Sequence, residues 1–412
     1  MNKVAIVGGG AAGLLAGIAA ARHGGNVTIY ERMPRPARKM LITGKGRCNI
    51  TNICEIPEFI KNIPGNGNFL NSALHRFTNN DIVLLLESNG LPTKVERGGR
   101  VFPLSDRAVD VVDTLVKIFT HAGGKLLTET KVNEILVEGK KVVGLKTVKG
   151  TFSADTVILA AGGASYPATG SDGSGSKLAA KIGHSIIPLK PSLVPLESDY
   201  PYAKQLQGLS LRNVMVTLKV DGKKVGQKFG EMLFTHFGVS GPVILSLSNL
   251  AAKALSERKI VEIFIDLKPG LDESKLSARI QRDFAKYSRK QLGNGLKDLM
   301  PQSLISVVCD MAYLDENKFI NQISRAERQR LLQTLKSFCV PITATRPLAE
   351  AIVTSGGVSV KEINPKTMES KLISGLYFAG EVMDVDGYTG GFNLQAAFSS
   401  GYVAGIAAAG KG

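Results

Sequence analysis

Cysteine is scarce in this chain, with four in 412 residues, and the four are not spaced for metal or redox work. Cys48, Cys54, Cys309 and Cys339 form no CxxC pair and no Cys/His cluster at zinc-like intervals, so no metal site is expected. A Cys48–Cys54 disulfide would need an oxidising compartment. Uninterrupted apolar runs are missing too: nothing supplies the roughly 20 residues that span a bilayer. The opening stretch "MNKVAIVGGGAAGLLAGIAAARHGG" is apolar, but glycines break it and neither a basic leader nor a cleavage site accompanies it. A cytoplasmic protein without a membrane segment is the expectation. Internal repeats and low-complexity tracts are also lacking.

Acidic residues are in deficit. Fifty-one Lys and Arg against 35 Asp and Glu leave a net charge of +16, a surface that attracts polyanions. The densest patch, residues 32–47 ("RMPRPARKMLITGKGR"), carries six cations and no acid. Such a loop could meet a cofactor's phosphates or an RNA backbone. The basicity is not confined there, because residues 191–339 alone sum to about +7.

What is present begins with "KVAIVGGGAAGLLAGIAAARHGGNVTIYE". Residues 3–7 read as a buried parallel strand, an Ala/Leu-rich helix follows, and residues 27–31 read as a second strand ending at Glu31. Between strand and helix, Gly8, Gly10 and Gly13 form G-x-G-x-x-G, with Ala11 and Ala12 inside it. The first glycine makes the tight turn, the second lets backbone approach a pyrophosphate, and the third packs helix on strand. The helix N-terminus then holds phosphate and Glu31 takes a ribose hydroxyl. This is a dinucleotide unit in which every part stands in order.

Further along, residues 105–122 read as a helix capped by Ser105, with Val109, Val112, Val116 and Phe119 on one face. Runs at 126–137 and 141–153 read as strands, and "TVILAAGG" (156–163) as another buried strand entering a glycine loop through Ala161 and Gly162. After the proline-punctuated "IIPLKPSLVPL" the pattern changes. Residues 211–229 have the alternation and the Asp221-Gly222 turn of a hairpin, and 272–338 are polar and helical in pattern. The tail "GLYFAGEVMDVDGYTGGFNLQAAFSSGYVAGIAAAG" returns to strand, glycine loop and helix. Gly380-Glu381 closes its strand, where an acid can bind ribityl or ribose hydroxyls. Gly390 and Gly391 open its helix, whose first amides can stabilise negative charge on a flavin ring. One complete fingerprint at the N-terminus, with this tail, fits FAD better than NAD as the tightly held cofactor.

Eight motifs, in order, resemble one family throughout the chain: "GGGAAGL", "GKGRCNITN", "IPGNGNFL", "GGRVFPLSDRA", "GGASYPATGSDGSG", "MLFTHFGVSGP", "TSGGVSVKEINPKTMESK" and "GEVMDVDGYTGGFNLQ". The family is the BaiN/RdsA-type (YhiN-like) NAD(P)/FAD-dependent oxidoreductases, some known as aminoacetone oxidases. The resemblance implies an α/β fold: a glutathione-reductase-type FAD-binding Rossmann domain interrupted by an inserted β-barrel-like domain and a small helical domain. The expected boundaries are 1–190 with 341–412 for the FAD domain, 191–270 (with part of 325–345) for the β-rich insert, and 271–338 for the helices. Lys45 stands where relatives commonly have glycine.

By the same resemblance, FAD contacts extend the Gly8, Gly10, Ala11, Ala12, Gly13 and Glu31 set to Arg32, Arg38 and Lys39. The loop Gly46, Arg47, Cys48, Asn49 and Thr51 runs beside the flavin, and the backbone at Val132 meets the adenine. Ala161, Gly162, Gly380, Glu381, Gly391, Phe392, Asn393 and Leu394 complete the set.

Three reactions are implied by relatives: reduction of a uracil of 23S rRNA to dihydrouridine, reduction of a conjugated steroid enone, and oxidation of aminoacetone with peroxide formed. The first two share hydride delivery to the β-carbon of an unsaturated carbonyl and protonation of its neighbour, with NAD(P)H as transient reductant. A +16 chain suits the RNA substrate best, while a small-molecule substrate is the alternative. Oligomeric state is open. Cys48 is a candidate acid, on the expectation that Arg47 and Lys45 lower its pKa; the alternative is that it packs the FAD loop. His236, in "LFTHFGVSGP", and Tyr388 are the other candidates, with a structural role as the alternative for the histidine.

Overall fold

The computed structural model describes residues 1–410. It divides into two compact units: residues 1–192 with 348–410, and residues 193–347. The FAD domain is expected to resume at 341; residues 341–347 cluster instead with the second unit.

In the first unit, Lys3–Val7 forms strand β1, Ala11–Arg22 helix α1 and Asn26–Tyr30 strand β2. Five parallel strands make the central sheet, in the order Leu376–Phe378, Thr156–Leu159, β1, β2, Lys125–Leu127. The strands are continuous apolar runs because the sheet is covered by α1 and the C-terminal helix and also by an antiparallel set of strands, whose Phe152 ring lies 5.2 Å from that of Tyr30. Every residue of Thr156–Leu159 is buried. Both dinucleotide halves therefore converge on β1, and the chain reversal there opens the crevice at the strands' C-terminal ends.

α1 is buried along most of its length and lies against the C-terminal helix, Phe392–Ala408. The two approach closely because a Cβ on Gly401 would overlap the Ala12 carbonyl and one on Gly405 the Ala16 carbonyl. Close backbone approach gives dispersion contact along two helices whose own amphipathicity is slight.

The helix expected at 105–122 spans Ala108–His121, and Ser105 does not cap it: Arg107 occupies the N-cap without a side-chain bond. Its core face is Val111, Val112, Leu115, Ile118 and Phe119, whereas Val109 and Val116 lie half-buried on the flank. Val112 and Phe119 lie on the face as expected, while Val111, Leu115 and Ile118 complete it in place of Val109 and Val116. The strand runs 126–137 and 141–153 split into Lys125–Leu127, on the parallel sheet, and the antiparallel set Val132–Glu138, Lys141–Thr147 and Gly150–Ser153.

The second unit is a seven-stranded antiparallel sheet with helices. The sheet runs Phe338–Ile342, Val261–Asp266, Ser210–Val220, Lys223–Thr235, Gly238–Ser240, Leu196–Glu197, Ala344–Thr345. Its two outer strands are separated in sequence only by Thr343, so the sheet curls back on itself, as a barrel-like insert does. Asp221 and Gly222 make the hairpin turn. Helices Glu273–Lys286, Gln302–Met311 and Arg325–Lys336 share one continuous apolar core with the sheet. No helix among the described residues is long and apolar enough to cross a membrane.

Candidate FAD site

The crevice is built from three chain segments of the first unit. The first is the turn into α1. A Cβ on Gly13 would overlap the Gly8 carbonyl oxygen, which is why the third glycine is needed for packing. A Cβ on Gly10, by contrast, would meet nothing within 4 Å, so the space before the helix is open to a phosphate. Gly10 is the N-cap of α1, no described side chain caps it, and no acid stands in the first turn, which leaves the helix end available to an anion.

Glu31, at the end of β2, is 7% exposed, and its carboxylate accepts from the Gly9 N–H at 2.7 Å and the Met33 N–H at 2.8 Å. Burial pushes its pKa up, against the pull of those amides. The two bonds fix the carboxylate and leave lone pairs for a ribose hydroxyl. Beside it, the Thr130 N–H donates to the Glu31 carbonyl at 2.8 Å, which brings the start of the Val132 strand to the same place. Arg32 pairs with Asp172; burial opposes ionisation of that carboxyl, but bonds from Arg32 and Ser174 hold it at about 2.

The second segment is the basic loop. Lys39 donates to both Glu381 carboxylate oxygens (3.0 and 2.7 Å) and to the Ser165 hydroxyl (2.6 Å). Glu381 also accepts from the Thr354 N–H at 2.8 Å. Of the six cations in residues 32–47, four are ion-paired: Arg32 with Asp172, Arg35 with Asp113, Lys39 with Glu381, and Arg47 with Glu96 and Asp106. The patch thus carries less unpaired charge than its sequence suggests. Arg38, half-buried, has no carboxylate partner among the described residues, and neither has exposed Lys45.

Residues 43–48 turn sharply. Gly44, Lys45, Gly46 and Cys48 all have positive φ (57, 60, 84 and 63°). Lys45 is thus held in the left-handed conformation that glycine adopts most readily. Cys48 is fully buried, its N–H donates to the Thr43 carbonyl at 3.0 Å, and burial pushes its thiol up to about 12 despite a bond from Thr43. The expectation that neighbouring cations lower this pKa is therefore corrected. Arg47 is turned away onto its two carboxylates and lies 4.2 Å over the Phe102 ring. Among the other thiols, Cys309 is buried and Cys54 and Cys339 are half-buried, and all four are free.

The third segment is the start of the C-terminal helix. Gly391 is its N-cap at φ 101°, without a side-chain cap or an acid in the first turn. A Cβ there would overlap the Thr51 carbonyl. The loop and the helix are stitched together: the Thr51 hydroxyl donates to Gln395 Oε1 at 2.8 Å, and Asn52 Nδ2 donates to the Gly390 carbonyl at 3.1 Å. With its amide turned to satisfy both ends, Asn49 accepts from the Gly391 N–H at 3.0 Å. Asn393 Nδ2 donates to the Gly387 carbonyl (2.7 Å) and its Oδ1 accepts from the Gly387 N–H (2.7 Å), so this side chain braces the 386–391 loop. Phe392 is buried edge-on against Phe59, and Leu394 is half-buried.

These residues fit an FAD. Open space at Gly10, two uncapped helix ends and a buried Glu31 answer its pyrophosphate, flavin and ribose in turn. Two buried hydroxyls without a partner among the described residues, Ser171 and Ser176, lie in the loop and helix that follow Gly162. Ala161 and Gly162 themselves follow the buried strand Thr156–Leu159.

Tyr388 is half-buried in the 386–391 loop, and its N–H donates to the Asn62 carbonyl at 2.8 Å. His236 is exposed at the turn between Lys223–Thr235 and Gly238–Ser240, in the second unit, with its ring edge-on to Phe237. His236 thus belongs to the second unit and the crevice residues to the first.

Asp386 was missed by sequence reasoning. It is 6% exposed and accepts from the Ser192 hydroxyl at 2.7 Å. Burial pushes its carboxyl up, and Asp384 and Glu381 add to this. Asp384, half-buried and also pushed up by burial, accepts from Asn66 Nδ2 at 2.9 Å and the Gly356 N–H at 3.1 Å. Nothing in "DVDG" distinguishes a buried carboxylic acid from an ordinary turn; only the packing around it does.

Residues 2–407 match the HI0933-like protein Rossmann domain. The chain belongs to this family. Among curated HI0933-like relatives, a 3-dehydro-bile acid delta(4,6)-reductase of Clostridium scindens is 33% identical, with 99% of each chain covered. Ribosomal RNA dihydrouridine synthases of Haemophilus influenzae and Escherichia coli are 32% and 31% identical, each covering 96% of this chain. In fold, this HI0933-like chain is similar to the 3-ketosteroid delta1-dehydrogenase of Sterolibacterium denitrificans (TM-score 0.54, 13% identity, all of both chains covered). It is also similar to the 3-ketosteroid-delta4-(5alpha)-dehydrogenase of Rhodococcus jostii RHA1 (TM-score 0.53, 14% identity, 99% of this chain and 96% of that one). The chain is an FAD-type oxidoreductase of the Rossmann class.

Proposed function

We propose that this oxidoreductase reduces a conjugated C=C bond with NAD(P)H as electron source, and that its substrate is a uridine of 23S rRNA. The chemistry supplied by bound FAD is hydride transfer to the β-carbon, C6 of uracil. The amides of the helix's first turn, from Phe392 on, stabilise negative charge at the flavin end of the crevice, and the Asn49–Asn52 loop, which takes the Gly391 N–H, holds that helix end in place. Glu31 and the open turn at Gly10 hold the adenosine diphosphate portion.

A proton must reach the α-carbon, C5 of uracil. Asp386 is the group best prepared to give it, because a buried carboxyl with a raised pKa keeps its proton nearer neutrality. Cys48, sealed in the core with its thiol near 12, suits the loop-anchor role better than the acid role. Tyr388, two residues from Asp386, stays a candidate for orienting substrate.

The observation that carries the RNA reading is the charge of the second unit taken with the two dihydrouridine-synthase relatives. Residues 191–339 sum to about +7, and none of that charge lies in the crevice segments of the first unit. Mass spectrometry of 23S rRNA from a deletion strain tests it: one dihydrouridine should disappear and return on complementation. An unchanged nucleoside profile would sink the reading. A specific observation favours a second one, reduction of a small-molecule enone, because the bile-acid reductase relative is 33% identical over 99% of the chain. Turnover of a steroid dienone at a rate above that on rRNA fragments would select it.

A further inference from the structure

We infer that the second unit carries a docking hollow for an unpaired nucleotide of single-stranded RNA, formed by Arg289, Lys290, Gln291, Asn294, Lys297 and Phe319. The inference rests on the RNA reading above and names the surface that would serve it.

The hollow has a volume of about 470 Å³ and is lined by those six residues. Its geometry comes from an antiparallel bridge between Gln291 and Phe319. The Leu292 N–H donates to the Lys318 carbonyl at 2.9 Å and the Ile320 N–H to the Lys290 carbonyl at 3.0 Å. Residues 291 and 319 are thus directly opposite, with side chains on one face. Leu292 and Ile320, alternating with them, are buried in the core and anchor the bridge. Phe319 is left 47% exposed.

Three features suit a nucleotide together. Phe319 offers a face on which a base can stack. The side-chain amides of Gln291 and Asn294 are exposed and make no hydrogen bond within the described protein, so they are free for a base edge. Arg289, Lys290 and Lys297 are exposed, and no described carboxylate lies within ion-pair distance of them.

Two of the neighbouring acids, Asp298 and Asp283, are otherwise occupied. Asp298 is held by Lys286 at 3.2 Å and by the Tyr287 hydroxyl, and Asp283 by Arg279 at 2.8 Å. Glu316 stands beside Gly293 at the rim. From residue 282 to 297 there are five cations and one acid, Asp283. The contrast with residues 32–47, where four of six cations are paired internally, is what directs phosphate here.

The test is fluorescence anisotropy of the FAD-loaded full chain with a labelled single-stranded 12-mer RNA over a salt series. A second strand of equal charge carries abasic sites. The wild type should bind, and prefer the intact strand to the abasic one. Phe319→Ala should weaken binding of the intact strand about 5- to 100-fold and leave the abasic strand unaffected. Arg289→Ala and Lys297→Ala should each flatten the log–log salt slope by about 0.7. Melting temperature and bound flavin should match the wild type in all three. Wild-type binding unchanged by the three substitutions would overturn the hollow while leaving the RNA reading intact. Equal binding of intact and abasic strands would reduce the hollow to a general polyanion patch and overturn the nucleotide assignment. No binding by the wild type would overturn both.

Discussion

Lys39 holds Glu381 across 342 positions of sequence, with its ammonium 2.7 Å from one carboxylate oxygen and 3.0 Å from the other. The pair ties the basic loop to the strand end of the tail, and Ser165 and the Thr354 amide join it there. Both side chains are about a fifth to a quarter exposed, so solvent screening trims the interaction. Glu381→Gln should cost about 1–2 kcal/mol of stability. If Glu381 also binds FAD hydroxyls, the FAD dissociation constant should rise about tenfold or more. Flavin absorbance per protein after gel filtration, with a titration of the apo form, measures the second effect. Unchanged FAD affinity would leave Glu381 a structural partner of Lys39 alone.

Two glycines of the crevice should separate folding from binding. Gly391 has φ 101° and touches the Thr51 carbonyl, so Gly391→Ala meets both backbone strain and overlap. It should lose roughly 3 kcal/mol and its flavin with it. Gly10 faces open space, so Gly10→Ala should fold with near-normal melting of the apo protein. Its methyl would stand where a pyrophosphate approaches, and FAD affinity should fall about tenfold or more. Thermal melts of the apo proteins beside flavin titrations distinguish the two outcomes.

The N-terminal unit was legible because its glycines, its two strands and its acid are local, and each has one physical job. The parallel sheet and the hairpin at Asp221-Gly222 could be read for the same reason. Ion pairing could not: Arg47 finds Glu96 and Asp106, and Arg35 finds Asp113, through contacts tens of positions apart. A run of six cations therefore read as free charge when most of it is spent inside the fold. The Cys48 thiol was misjudged in the same way, since flanking residues in sequence say nothing about burial. Asp386 shows the converse, a polar residue in a glycine-rich turn that only tertiary packing makes an acid of raised pKa.

Cys48 makes a pH prediction with a definite sign. A thiol of ordinary pKa near 8.5 when unfolded and about 12 when folded binds more protons in the folded state between those values. Its contribution to stability is present below about pH 8.5 and is lost as pH rises through the window. The wild type should therefore lose about 2 kcal/mol relative to Cys48→Ala between pH 8 and 10. The other three thiols are common to both proteins and cancel. Urea melts at three pH values check it. A constant difference would mean that the thiol ionises freely, and the proton-donor alternative would regain force.

Asp386 carries the sharpest functional prediction, because Asn is close in shape to the protonated acid yet has no proton to give. The carboxyl accepts from Ser192 in a buried setting, and the burial that raises its pKa should leave the fold of Asp386→Asn intact. Flavin content and the rate of flavin reduction by NAD(P)H should match the wild type. Reoxidation of the reduced enzyme by the unsaturated substrate should slow about 10²- to 10⁴-fold, the usual worth of a positioned acid. In the wild type that half-reaction should slow as pH rises through the raised Asp386 pKa, because only the protonated form donates; in the variant it should be flat. Stopped-flow absorbance of each half-reaction separates these cases. A variant that slows both halves equally, or that loses its flavin, would make Asp386 a structural group. In that event Tyr388, on the same loop, becomes the next residue to change.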